Sequence, residues 1–266
     1  IRDSTCMGRG WYQQRGTLPA MRKPTDRPWV IAHRGASAAL RENTVPAFRE
    51  AFARGADAAE LDVRRTADGV LVVHHDAVVP DVGPIVAMDR DDLDEAAPWI
   101  PDLEDALAAC AGMWVNVEIK NTPTDPDWDS SQSIARRVAE HLQRAGSIDR
   151  FLVSSFNPET IRSAAEAVPD LPTGWIADRA VDPLQATELA AEAGHRSIHP
   201  HVATLAGAAA ARVAGAAHDA GMWVIAWTVD DQDEIVRLAE AGVDGIITNA
   251  PGEARSALQD RDRNRG

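Results

Sequence analysis

The stretch AAELDVRRTADGVLVVHHD, residues 58–76, contains the pattern that decides the fold. It opens with AAELDV, a short apolar run that is typical of a buried strand of a parallel sheet. Asp68-Gly69 then follows, and Asp-Gly between two β-type segments predicts a tight hairpin. We therefore expect VLVVHHD (70–76) to return antiparallel beside the strand that AAELDV begins.

Similar apolar runs recur along the chain, each followed by an Ala-rich amphipathic segment. There are eight such runs: WVIAHRG (29–35), AAELDV (58–63), WVNVEIK (114–120), FLVSSF (151–156), PTGWI (172–176), RSIHP (196–200), WVIAWTV (223–229) and DGIITN (244–249). The predicted helices cover residues 43–54, 102–111, 130–145, 158–168, 183–193, 206–220, 231–241 and 252–259. Alternating strands and helices indicate a parallel sheet with right-handed crossovers.

Eight strand–helix units in about 230 residues match the size of a closed (β/α)₈ barrel, the TIM barrel. A doubly wound open sheet is the alternative, but the sequence lacks the Gly-rich dinucleotide fingerprint. We assign residues 29–257 to the barrel domain, and residues 77–101 to an acidic insertion loop over the catalytic face. Residues 1–28 are predicted to be a disordered extension, and residues 258–266 a charged tail.

The charge of the chain narrows its possible partners. It has 41 acidic and 27 basic residues, a formal net charge of −14, which disfavours binding to nucleic acid and to anionic membranes. A site for an anionic substrate would therefore need clustered positive charge or a bound cation.

Cysteine content and apolar segments bear on the location of the chain. Its two cysteines do not make a disulfide framework. No apolar run is long enough to insert into a membrane, and no basic start precedes an apolar signal segment. The cytoplasm is the expected location, and the oligomeric state is left open.

Three acidic residues stand near the ends of predicted barrel strands, where the active sites of such barrels lie. Glu60 and Asp62 are two apart on one strand and so share a face, while Glu118 ends the next strand of the barrel. Grouped carboxylates repel one another unless a cation lies among them, and oxygen ligands suit Mg²⁺ or Ca²⁺. The alternative is a purely structural ion-pair network with neighbouring arginines and lysine.

Histidines and basic residues lie at the same strand ends. His33 and His75 are candidates for general acid–base catalysis because imidazole titrates near neutral pH. Strand alternation turns either His74 or His75 inward and does not say which. Arg34 and Lys120 could contact phosphate oxygens, or could instead form ion pairs with the acids.

These motifs together resemble the glycerophosphodiester phosphodiesterase family over about residues 30–251. The matching segments are AHRG with ENT, ELDV, VVHHD, IPDLEDAL, VEIK, SSFNP, WTVD and DGIITNAP. The resemblance implies a TIM barrel with a small insertion after the strand-two hairpin. It also implies metal-dependent hydrolysis of a small phosphodiester to glycerol 3-phosphate and an alcohol.

The resemblance also implies roles for individual residues. Glu60, Asp62 and Glu118 match the ligands of one divalent cation, Mg²⁺ or Ca²⁺, with Mn²⁺ as a further option. The acid–base pair corresponds to His33 and His75, which resolves the choice against His74.

Four further positions match residues that contact the substrate in the family. Arg34 and Lys120 match phosphate-binding residues, and Phe156 and Trp227 match residues of the substrate cleft. Asn249 departs from the family pattern, which has an acid there, and we expect a local effect on hydrogen bonding.

Three other functions remain possible at this point. The same fold could act on lysophospholipids in a phospholipase D-type reaction, although the chain lacks an apolar lid. A glycosidase could use Glu60 and Glu118 as its carboxylate pair, but that would leave the histidines without a role. A non-catalytic binding barrel is the third.

Overall fold

The computed structural model describes Met21, residues 23–24 and residues 27–263. In chain order its strands and helices are β1 (Trp29–His33), α1 (Val45–Ala53), β2 (Ala58–Arg65), β3 (Leu71–Val73), β4 (Val78–Val79), β5 (Gly83–Pro84), α2 (Arg90–Ala96), α3 (Leu103–Ala109), β6 (Trp114–Ile119), α4 (Ser133–Ala145), β7 (Phe151–Ser155), α5 (Pro158–Ala167), β8 (Thr173–Ala177), α6 (Pro183–Glu192), β9 (Ser197–Pro200), α7 (Ala209–Asp219), β10 (Trp223–Ala226), α8 (Gln232–Glu240), β11 (Gly245–Thr248) and α9 (Pro251–Arg263).

The sheet closes on itself. Its strand order is β1-β11-β10-β9-β8-β7-β6-β2, and β1 also pairs with β2, all in parallel. The described residues thus form the (β/α)₈ barrel that the sequence predicts, since all eight apolar runs become wall strands. The predicted hairpin is confirmed as well, because β3 runs antiparallel to β2 and lies outside the barrel.

Local sequence explains where the helices begin. Thr44 caps α1 by accepting a hydrogen bond from the Ala47 amide, and Pro46 lies in the first turn. Asn157 caps α5 and Asp231 caps α8 in the same way. Hydroxyl, amide and carboxylate side chains favour these positions because they satisfy amide groups that have no partner inside the helix.

The apolar core has two layers. Alternate residues of each wall strand point outward against the helices, as Leu61 and Val117 do where they pack with Phe48 of α1. The inward side chains at the start of the strands fill the lower end of the barrel and form a separate cluster that we call the floor. The floor contains Trp29, Ile31, Ala58, Trp114, Leu152, Ile225 and Ile247.

The segment 77–101 differs from the predicted acidic loop. It forms the short strands β4 and β5, one 3₁₀ turn and helix α2. Its fully buried Ile85 and Leu93 pack with Val72 of β3 in a small core of their own. The buried apolar residues of this segment are widely spaced in the sequence. They therefore form no regular pattern that would predict its helix and strands.

The chain ends also differ from the predicted boundaries. Most of the expected disordered extension lies outside the described residues, but Arg27 forms an ion pair with Asp57 at 2.6 Å. The predicted charged tail is helical up to Arg263, because fully buried Leu258 holds α9 against the barrel. Within the described part, no helix combines the length and apolar character needed to cross a membrane.

Candidate active site

Three carboxylates meet at the mouth of the barrel, where the strands end. Asp62 on β2 is the register partner of Glu118 on β6, and Glu60 lies two residues before Asp62 on the same face. One oxygen of each carboxylate lies within 4.8 Å of the others. All three side chains are buried. The structure therefore brings together the three acids that the sequence placed at strand ends.

This carboxylate cluster has the chemistry of a cation site. Glu60 Oε1 and Asp62 Oδ1 are buried and have no hydrogen-bond partner. Burial raises the pKa of Glu60 well above its ordinary value, and repulsion from Asp62 and Glu118 raises it further. Because three carboxylates crowded in a buried place repel one another, a hard divalent cation fits these oxygens.

Two basic side chains border the carboxylates. Arg34 Nε lies 3.1 Å from Asp62 Oδ2, and Lys120 Nζ lies 2.7 Å from Glu118 Oε1 and 3.4 Å from Asp62 Oδ1. Burial alone would raise the pKa of Asp62, but Lys120 and Arg34 hold it below its ordinary value. The expected ion pairs thus exist, and Arg34 makes a further one, because its Nη1 lies 3.0 Å from Glu42 Oε1.

The backbone at Arg34 is shaped by the residue that follows it. Arg34 and Gly35 both have positive φ, 57° and 83°. A Cβ on Gly35 would lie 2.7 Å from the backbone of Ala47, so only glycine fits. This turn places the Arg34 amide 3.0 Å from Glu60 Oε2, to which it donates a hydrogen bond.

Asn43 orients Asp62, a role that was missed in the sequence. It also has positive φ, 56°, and its Nδ2 donates to Asp62 Oδ2 at 2.8 Å. The motif ENT (42–44) contains Asn43, but its spacing does not indicate a contact with Asp62, which lies 19 residues further along the chain. In the structure Thr44 is the cap, and the neighbouring asparagine is free to contact the site.

His33 is held by a chain of hydrogen bonds from the far end of the sequence. Its Nδ1 lies 2.7 Å from Asn249 Oδ1. The Nδ2 of Asn249 donates to Asp230 at 2.6 Å, which fixes the amide so that its oxygen faces the imidazole. Ser37 Oγ donates to the same oxygen at 2.9 Å. His33 must therefore donate through Nδ1, and its Nε2 carries the lone pair when the ring is neutral.

His75 is held in a similar way by a different partner. Its Nδ1 lies 2.7 Å from the carboxylate of Asp76, so Nδ1 is again the protonated nitrogen. Arg64 donates to the His75 carbonyl at 2.8 Å and is itself held by both oxygens of Asp127 at 2.7 Å. Local sequence does not predict the contact between Arg64 and His75, which lie 11 positions apart.

The structure separates the two adjacent histidines. His75 lines the cleft with His33, whereas His74 lines a different groove and its Nδ1 contacts the Asp76 carbonyl at 2.8 Å. Burial lowers the pKa of His33 and of His75, and for His33 the Arg34 guanidinium acts in the same direction. Both rings are therefore biased toward the neutral form near neutral pH.

The cleft itself is partly polar and partly apolar, with about 420 Å³ of space not occupied by protein. Phe156 and Trp227 form one wall and contact each other edge to face, with ring centroids 5.3 Å apart. None of residues 77–101 is among the described residues that line the cleft, and the position of this segment over the catalytic face stays a prediction. The described residues that line it are His33, Arg34, Glu60, His75, Asn116, Glu118, Lys120, Phe156, Ile176, His199, Trp227 and Ile247.

Known proteins resemble the chain over most of its length. Residues 33–253 match the model of the glycerophosphoryl diester phosphodiesterase family. A glycerophosphodiester phosphodiesterase of Caldanaerobacter subterraneus subsp. tengcongensis is 30% identical over 239 residues, which cover 84% of this chain and 94% of that protein.

Two solved structures are similar to the whole barrel. An Oleispira antarctica phosphodiesterase in complex with the product sn-glycerol-3-phosphate gives a TM-score of 0.76 at 25% identity, covering 88% of this chain and 97% of the other. A Parabacteroides distasonis glycerophosphodiester phosphodiesterase gives 0.74 at 25% identity, covering 90% and 100%.

Proposed function

Because the chain belongs to the glycerophosphoryl diester phosphodiesterase family, we propose that its barrel mouth is the active site of a metal-dependent phosphodiesterase. The reaction is hydrolysis of a glycerophosphodiester to glycerol 3-phosphate and an alcohol. The observation that carries the proposal is the buried cluster of three carboxylates with unpartnered oxygens, bordered by two cations and two imidazoles.

We assign Glu60, Asp62 and Glu118 as the ligands of one divalent cation, Mg²⁺ or Ca²⁺, with Mn²⁺ as a further candidate. The donor set is all oxygen, which favours such hard ions over zinc. A divalent ion bound there would polarise the phosphoryl group and offset the charge that grows on its oxygens. Asn43 keeps Asp62 in position through its amide hydrogen bond.

Arg34 and Lys120 are proposed to bind the phosphodiester. The Arg34 guanidinium, whose Nε and Nη1 contact Asp62 and Glu42, contributes its charge and its remaining N–H groups, whereas the Lys120 ammonium acts as a compact charge. Both side chains line the cleft beside the carboxylates. Charge of this kind, fixed before the substrate arrives, stabilises the transition state without rearrangement.

His33 and His75 are proposed to move the protons. Each ring donates through Nδ1 to a fixed partner, so each keeps Nε2 for the reaction. One ring takes the proton of the nucleophile and the other gives a proton to the oxygen of the leaving alcohol. The nucleophile is water or the neighbouring glycerol hydroxyl, and the second route passes through a cyclic phosphate.

Family membership argues against the alternatives of a glycosidase and a non-catalytic barrel, and a glycosidase would leave both histidines unused. A lysophospholipid substrate has no observation in its favour, since charged and polar side chains make up much of the described lining of the cleft. The cytoplasmic location and the absence of nucleic-acid partners stay predictions from the sequence.

The test is release of glycerol 3-phosphate from glycerophosphocholine with Mg²⁺, Ca²⁺ or Mn²⁺, using His33→Ala as the blank. Turnover by the wild type that needs a divalent ion and disappears in the blank supports the proposal. Choline release from lysophosphatidylcholine is measured in parallel. If the lysophospholipid reaction were the true one, this release would be faster than the release of glycerol 3-phosphate from glycerophosphocholine. No turnover of any phosphodiester with any of these ions would contradict the proposed activity.

A further inference from the structure

A layer of polar side chains lies beside the carboxylates, on the inner face of the barrel. Asn116 is two residues before Glu118 on β6 and therefore points to the same side. Ser154 on β7 and His199 on β9 face the interior as well, and the three side chains are 0–1% exposed. The layer is thus enclosed by the barrel wall next to the carboxylates, since Asn116 is the register partner of Glu60 and Ser154 is that of Glu118.

Four polar atoms of this layer have no hydrogen-bond partner. They are both amide atoms of Asn116, the hydroxyl oxygen of Ser154 and Nδ1 of His199. Asn116 and His199 line the cleft that contains His33, whereas Ser154 is not among its described lining residues and enters the layer as the register partner of Glu118. Fully buried polar groups are nearly always satisfied, so unpartnered groups that face a cleft indicate that a ligand completes them.

The position of the histidine in this layer is fixed by its neighbours. His199 Nε2 lies 2.8 Å from Ser197 Oγ, which leaves Nδ1 directed elsewhere. Gly174 makes room for the pair, because a Cβ there would lie 2.3 Å from Ser197 Oγ and 2.7 Å from His199 Nε2. Burial lowers the pKa of His199 to about 3, so the ring is neutral at physiological pH.

The layer therefore offers neutral donors and acceptors, which match hydroxyl groups and not a phosphate. Its surroundings fit a short carbon chain, since the cleft walls include the apolar side chains of Ile176, Trp227 and Ile247. Below it the barrel is closed by the tryptophans and aliphatic residues of the floor. A ligand must enter from the mouth and can place only a small polar end here.

We propose that Asn116, Ser154 and His199 form a subsite for the terminal hydroxymethyl group of the substrate's glycerol. The glycerol end enters first, its phosphate stops at the cations of the mouth, and the alcohol headgroup stays at the open side. This inference rests on the proposed function and adds a source of specificity, because the three residues recognise glycerol and do not take part in bond breaking.

The experiment compares two substrates that differ only in the group recognised. Glycerophosphocholine carries the terminal hydroxymethyl, whereas 2-hydroxyethyl phosphocholine lacks it but keeps the hydroxyl next to the phosphate. We expect the wild type to prefer glycerophosphocholine in kcat/KM by at least about tenfold, the factor equivalent to one net hydrogen bond. Asn116→Leu should lose that preference and retain its rate on the shorter substrate.

Ser154→Ala serves as a milder second variant if Asn116→Leu does not fold, and Ser155→Ala is its matched control. Ser155 is the next residue of β7, buried on the opposite face, where its hydroxyl donates to the Ile119 carbonyl at 2.8 Å. Ser154→Ala should reduce the preference and Ser155→Ala should leave it unchanged.

The outcomes separate the two proposals. An unchanged preference in Asn116→Leu and Ser154→Ala, or an equal loss of rate on both substrates, would overturn the subsite. A wild type that hydrolyses neither these two substrates nor any other phosphodiester, with any of the ions, would overturn the proposed function itself, and the subsite with it.

Discussion

The two ends of the barrel are built from the same strands and have opposite chemistry. β1 runs from Trp29 at the floor to His33 at the mouth, and β6 runs from Trp114 to Glu118 and beyond. At the floor Trp29 packs edge to face with Trp114 and Trp223, with centroids 5.1 and 4.9 Å apart. The mouth, four residues further along each strand, gathers buried carboxylates that repel one another.

The difference indicates that the floor contributes stability and the mouth contributes activity. Aromatic and aliphatic burial at the floor stabilises the barrel, since such burial is the dominant favourable term in folding. Like charges and unpartnered oxygens at the mouth cost stability, which the floor offsets. We therefore expect substitutions at the mouth to change activity more than stability, and substitutions at the floor to do the reverse.

The largest effect should come from the imidazoles of the mouth. His33→Ala and His75→Ala should each lower kcat by about 10²–10⁴-fold, because each removes a proton-transfer group. Their melting temperatures should stay near that of the wild type. Assays of glycerol 3-phosphate release together with thermal melts test this, and near-normal turnover by either variant would remove that histidine from the mechanism.

At the floor, Trp29→Ala should destabilise the protein by about 3–5 kcal/mol, as truncation of a buried aromatic side chain does. Trp29 is 1% exposed. Urea denaturation measures the loss, and the kcat of the fraction that remains folded should be unchanged. A large fall in that kcat would mean that the two ends are not independent.

Glu60→Gln should sharpen the contrast between the two ends, because it reduces the repulsion among the carboxylates at the mouth. The raised pKa of Glu60 means that the folded state binds its proton more tightly than the unfolded chain does. Without metal, the wild type should therefore lose stability as pH rises above the ordinary carboxyl range, and Glu60→Gln should lose less.

Added metal is the counterpart of that experiment. A divalent ion at 100 times its dissociation constant should stabilise the wild type by about 2.7 kcal/mol, and Glu60→Gln by less. Thermal melts in a chelator and in excess Mg²⁺ or Ca²⁺, from pH 4 to pH 8, report both effects. Equal stabilisation of the two proteins by metal would show that Glu60 is not a ligand.

The smallest effect concerns the partner of His33. Asn249→Asp replaces a neutral acceptor with a carboxylate, which should stabilise the protonated imidazole and raise its pKa. Whether His33 acts as the base or the acid, its limb of the pH–rate profile should move to higher pH. The control is Asp76→Asn at the other histidine, where the limb should move to lower pH. Profiles that do not move would show that neither histidine controls the pH dependence.

Much of the fold followed from periodicity in the sequence. A short apolar run predicts each wall strand, and Asp68-Gly69 predicts the hairpin. The convergence of the three acids followed because the two-residue period of a strand fixes the faces of Glu60 and Asp62. Arguments of this kind need only local sequence and the rule that barrel sites lie at strand ends.

Other features depend on contacts that local sequence does not encode. The His33–Asn249 hydrogen bond joins residues 216 apart, and the Arg64–Asp127 pair joins a strand to a distant loop. The choice between His74 and His75 depends on how β3 turns beyond its last ladder pair. The small core around Ile85 and Leu93 depends on packing against Val72, which no spacing within the segment 77–101 predicts.

The closure of the barrel has a consequence for synthesis on the ribosome. β1 leaves the exit tunnel first among the wall strands, yet one of its two neighbours, β11, is Gly245–Thr248. Until those residues emerge, one edge of β1 has no partner, and His33 lacks the asparagine that sets its tautomer. Nascent chains halted before residue 249 should thus be inactive and expose an adhesive strand edge that chaperones would have to shield.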